Sequence, residues 1–143
     1  MRKVIRRLEP HALALIVVVG LAVRLWVWWR VPAHAPANDE NEYLRVARDL
    51  VAGRGWEFYE QYRWLRAPLY PLFLAGSLWS AGGDLRWEAL PNIVLSTATI
   101  VLWYLLGKAV VADDAVRGRR AGLFAAAISA VLLPFVTFAS LWM

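Results

Sequence analysis

The stretch APLYPLFLAGSLWSA, residues 67–81, decides how this chain is arranged. It is apolar but short, about 15 residues where a membrane-spanning helix needs about 20. Its length belongs to a re-entrant or interfacial segment. Three longer apolar runs surround it, at 12–29, 89–111 and 121–143. Each is long enough to cross a bilayer at about 1.5 Å of rise per residue. Two basic clusters fix the parity of crossings. Arg2, Lys3, Arg6 and Arg7 precede the first run, and Lys108, Arg117, Arg119 and Arg120 lie between the second and third. Basic residues beside spans stay on the cytoplasmic side. Both clusters are cytoplasmic if an even number of spans separates them, and the runs at 12–29 and 89–111 supply two. The stretch 67–81 is therefore expected to lie at the outer membrane face. The alternative is four spans, which turns the second basic cluster outward.

Composition supports lipid as the solvent. The chain has 143 residues, 60% of them hydrophobic, with a mean hydropathy of +0.46. A soluble domain of this size cannot hide that much apolar surface. The absence of cysteine excludes disulfide scaffolds, thiolate metal sites and cysteine nucleophiles. The net charge of +5 could suggest nucleic acid, but the basic residues flank apolar runs, so no nucleic-acid partner is expected. Trp26, Trp28 and Trp29 crowd the end of the first run, as in an aromatic belt. A cleaved signal peptide is the rival reading, with Ala35-Pro36-Ala37 as its cleavage site. The run is longer than a signal core and rich in tryptophan, which favours an uncleaved anchor.

The expected architecture is all-α. It has spans at about 10–30, 87–111 and 118–143, and an outer loop, 31–86, that carries two amphipathic helices at about 39–53 and 67–82. The N-terminus is cytoplasmic. Pro91 is expected in the first turn of its helix, and Pro134 should kink the last span.

The outer loop holds most of the polar chemistry. It opens with NDENEY, residues 38–43. Tyr43, Val46, Ala47, Leu50 and Val51 follow helical spacing, and Gly53 stands where a helix ends. Asp39 and Glu42 have the spacing of a capping box, and a carboxylate there complements the helix dipole. Asp39 therefore reads as a helix cap, and the same backbone N–H groups would aim an ionised carboxylate. Pro68 and Pro71 suit a rigid helix entry. Arg66, just before them, is a cation suited to a phosphate. Arg24 lies inside the first run. It either snorkels to the headgroups or faces the bundle as a functional charge.

Several of these residues carry a resemblance. An Asp-Glu pair heads a helix with Tyr43 after the first span. Glycines follow at 53 and 55, then RAPLYPLFLA at 66–75, then two spans separated by a basic loop. In this order they resemble the N-terminal part of the GT-C glycosyltransferases, over roughly residues 8–143. The closest likeness is to bacterial members related to protein O-mannosyltransferases and to the aminoarabinose transferase of lipid A. The resemblance implies a multi-pass enzyme of the bacterial inner membrane with its active loop outside. Its donor would be a polyprenyl-phosphate-linked sugar, and its acceptor a glycan, lipid or protein hydroxyl. By position Asp39 is the catalytic base, with Glu40 and Tyr43 in the substrate site and Arg66 and Arg24 as candidate cations there. A divalent metal held by Asp39 and Glu40 is left open by two adjacent carboxylates, which alone do not define a site. Arg66 and Ala67 stand where aminoarabinose-type members carry an acidic residue and a lysine, which points away from that sugar. One base and no evident second nucleophile imply inversion at the sugar carbon. The chain is expected to be the N-terminal part of a longer enzyme, lacking most of the donor cavity and inactive alone. A small membrane scaffold or binding protein is the alternative, and a transporter fragment a third.

Overall fold

The computed structural model describes residues 2–31, 39–56 and 67–140, and the side chains of these except 2–9, Asp39 and Ser140. All regular structure among the described residues is helical. There are six such helices: α1 (Arg2–Arg30), α2 (Asp39–Val51), α3 (Leu69–Ser80), α4 (Leu85–Val110), α5 (Ala115–Val131) and α6 (Leu133–Ser140). Two segments, Pro10–Arg30 and Leu85–Val110, are long and apolar enough to cross a membrane, and α5 with α6 makes a third if the bent pair is one span. The helix α3, with 12 residues, rises about 18 Å, short of a hydrocarbon core of about 30 Å.

The chain divides into two compact units. One is Met1–Arg30 with Asn92–Ser140, and the other is Val31–Pro91 with Leu141–Met143. In the first unit, α1 packs on α5 and α6. Its core holds Ile100, Tyr104, Ala126 and Ala130, with Leu13, Ile16, Val17 and Leu123 against them. Glycines bring its backbones close. A Cβ on Gly118 would lie 2.6 Å from the Val111 carbonyl oxygen, and one on Gly122 would lie 2.6 Å from that of Tyr104. Small residues at such crossings let helices associate in lipid, where no hydrophobic force drives them together. Leu15, Val18, Val94, Leu102 and Phe124 remain exposed, as suits a surface solvated by acyl chains.

The start of α5 is set by Asp114, whose side chain accepts hydrogen bonds from the N–H groups of Val116 (2.7 Å) and Arg117 (3.1 Å). The kink expected at Pro134 is a full break. Leu132 is extended, with φ −62° and ψ 120°, and the flanking helices meet at 52°.

In the second unit, α2 and α3 pack through Leu44, Ala47, Leu74, Ala75 and Leu78, with Tyr43, Leu50, Tyr70 and Leu85 at the edges. The apolar spacing of α2 places Val46 and Ala47 inside, as expected, and adds Leu44. Val51 departs from expectation and is exposed, because α2 ends there and not at 53. Gly53 and Gly82 follow their helices with φ of 72° and 63°. The N–H groups of Arg54 and Gly83 reach back to the carbonyls of Asp49 and Leu78 at 2.8 Å. Both are Schellman closures, which need the left-handed residue that glycine adopts freely.

The expected position of Pro91 is corrected. The helix α4 begins at Leu85, because Asp84 caps it. The Asp84 side chain accepts from the Arg86 N–H at 2.9 Å, and its carbonyl accepts from the Glu88 N–H at 3.1 Å. Pro91 therefore sits in the second turn, where its ring removes the usual donor to the Trp87 carbonyl.

Candidate functional site

The unit made by α2, α3 and the start of α4 holds the described residues of the acidic loop. Asp39 is the first helical residue of α2, one position further in than a capping box requires. A carboxylate in the first turn still complements the dipole. The Asp39 side chain and Arg66 both lie outside the described residues. Glu40 is half-buried and Asn41 exposed.

Tyr43 is one turn beyond Asp39, on the same side of α2 by helical spacing. Its ring meets that of Tyr70 edge to face, with centroids 5.1 Å apart and planes at 87°. Tyr70 in turn stacks near Phe73, at 6.4 Å and 29°. Edge-to-face pairs are favoured because the positive ring edge meets the negative face. The fold thus joins the tyrosine of the Asp-Glu-x-x-Tyr pattern to the tyrosine of Arg-Ala-Pro-Leu-Tyr-Pro, and two distant stretches of chain share one aromatic wall. At the far end of α2, Arg54 pairs with Asp49 through Nε at 2.9 Å and through Nη2.

Arg24 sits in the other unit, and it does not snorkel. It is 0% exposed. Nε donates to the Ser96 hydroxyl at 3.0 Å. Nη1 donates to the carbonyls of Gly20 and Ala130, both at 3.0 Å, and Nη2 to that of Ser129 at 3.2 Å. Of the two expected orientations, the side chain takes the one that faces the bundle.

Sequence reasoning misses Glu88, which by position is only an acid ahead of the second span. It is 0% exposed, and neither carboxylate oxygen has a hydrogen-bond partner among the described residues. Buried carboxylates are normally paired, and an ionisable residue in an apolar helix marks a functional position by default. A signal does exist in the sequence: the acid stands at spacing i+3 from Leu85, which packs on the α2–α3 core. First-turn acids also serve the dipole, and that reading hides it. Glu88→Met keeps the volume and removes the buried, unpartnered carboxyl group. It should stabilise the detergent-solubilised protein by about 1–3 kcal/mol. A thermal melt followed by tryptophan fluorescence checks this, and a lower melting temperature would show that Glu88 is paired.

Among the described residues, no group of three or more His, Cys, Asp or Glu side chains could hold a metal ion. The chain matches no family model, no curated protein and no solved structure.

Proposed function

We propose that this chain carries the base and part of the donor site of a membrane glycosyltransferase. It would move a sugar from a polyprenyl-phosphate-linked donor to an acceptor hydroxyl at the outer face of a bacterial inner membrane. The observation that carries the reading is the Tyr43–Tyr70 contact. It gives the two short patterns that prompted the resemblance a common location, one turn from Asp39.

The chemistry suits these residue types. An acceptor hydroxyl becomes a competent nucleophile when a carboxylate takes its proton as the bond forms. Asp39 is the proposed base. The hydroxyl oxygen bonds to the anomeric carbon as the bond from that carbon to phosphate breaks, and the electron pair leaves with polyprenyl phosphate. One displacement inverts the carbon. Charge grows on the leaving phosphate, and a nearby cation stabilises it. Arg66 is the proposed cation, with Glu40 and Tyr43 positioning the sugar. The phosphate of such a lipid rides at the membrane surface, the depth expected of the acidic loop.

The test is donor turnover. Membranes containing the complete enzyme of which this chain would form the N-terminal part, supplied with hexosyl and pentosyl polyprenyl phosphates, should release polyprenyl phosphate faster than membranes lacking it. No protein-dependent release from any of these donors would overturn the proposal.

A further inference from the structure

Arg24 is fully buried in an apolar helix, and the positions of its hydrogen bonds say what the charge is for. Two of its acceptors, the carbonyls of Ser129 and Ala130, belong to the last turn of α5. A helix leaves its final carbonyls without intrahelical donors. Here the break removes them. Leu132 is extended, and Pro134, four residues after Ala130, has no N–H to give. In hydrocarbon no water replaces the missing donors, and each orphaned carbonyl costs several kcal/mol. The first carbonyl of the turn, that of Ile128, is served by the Leu132 N–H at 2.9 Å. The next two are served by Arg24.

Ser96 completes the arrangement. Its hydroxyl accepts from Arg24 Nε at 3.0 Å and donates to the Phe135 carbonyl at 3.1 Å. One guanidinium therefore holds the helix before the break directly, and the helix after it through one hydroxyl. Its charge also lies at the negative end of the α5 dipole, where a cation is favoured. Gly20 lets α1 come close enough for this: a Cβ there would meet Ala130 Cβ at 3.1 Å and Ile100 Cδ1 at 2.4 Å.

We propose that Arg24 is a helix cap supplied from a neighbouring helix, which fixes the bend between α5 and α6 as part of one broken span. Its guanidinium serves the carbonyls of Gly20, Ser129 and Ala130 and the Ser96 hydroxyl, and is a positioning group for α6. It is not a cation for the substrate phosphate.

The proposal predicts a specific rescue. Pro134→Ala returns an N–H four residues after Ala130, so the span can continue as a helix and needs less from Arg24. Four proteins are compared in detergent micelles: the parent, Arg24→Met, Pro134→Ala and the double variant. Arg24→Met should lower the melting temperature by roughly 10 °C or more, or abolish folding. The double variant should recover at least half of that loss. Additive losses, or a double variant that also fails to fold, would overturn the proposal. Geometry gives a second readout. The chain has no cysteine, so spin labels at Phe124→Cys and Phe138→Cys report only the bend. Both positions are exposed. The label separation should lengthen in the double variant towards about 21 Å, the span of a straight helix over those residues. A separation unchanged from the parent would contradict the role assigned to Arg24.

Discussion

Asp39→Asn should lower sugar transfer by about 10²–10⁴-fold, the range that a positioned general base contributes. The amide keeps the size of the side chain and its ability to accept a hydrogen bond. It loses the capacity to take a proton from the acceptor hydroxyl. Helix α2 should survive, because its packing rests on Leu44 and Ala47 against Leu74 and Leu78, none of which changes. The loss should therefore appear at an unchanged melting temperature and mainly in kcat, since the proton moves only in the transition state. Steady-state transfer by the complete enzyme carrying Asp39→Asn, set against its parent, measures it. Transfer within a few-fold of the parent would remove Asp39 as the base.

A large structural effect is also expected at Gly122. Any Cβ there points at the Tyr104 carbonyl oxygen, 2.6 Å away, and at the Tyr104 ring, 2.9 Å away. A ring can turn, but a carbonyl inside a helix cannot move without breaking its ladder. Gly122→Leu should separate α4 from α5 and cost more than about 3 kcal/mol, the upper range for overpacking a well-filled site. Thermal melting in detergent should drop by roughly 10 °C. The same change at Gly76, where an added Cβ would meet nothing within 4 Å, is the control and should shift melting little.

Much of the fold is legible from the residues. Long apolar runs identify the helices long and apolar enough to cross a membrane, because hydrocarbon admits little but helix. Helical spacing in 43–50 anticipates the face that α2 buries. Pro134 announces the break between α5 and α6. Other features depend on partners distant in the chain. Nothing local says that Arg24 answers carbonyls 105 and 106 positions away. The local pattern equally allows a side chain reaching for headgroups. Nothing local says that Tyr43 meets Tyr70, since that contact is made by α2 packing on α3. Helix starts are also poorly marked by apolar runs. Asp84 begins α4 earlier than its run suggests, and this moves Pro91 from the first turn to the second. The burial of Glu88 follows from the same shift, because it brings that acid onto the face shared with Leu85.

The proposed chemistry depends above all on sidedness, since lipid-linked sugars of this kind are consumed at the outer face. With no native cysteine, single substitutions read sidedness cleanly. Asn41→Cys and Arg120→Cys are compared in intact cells with a membrane-impermeant maleimide. The cysteine at 41 should be labelled from outside, and the one at 120 only after the membrane is permeabilised. Labelling of position 120 in intact cells, with position 41 protected, would contradict the proposed sidedness.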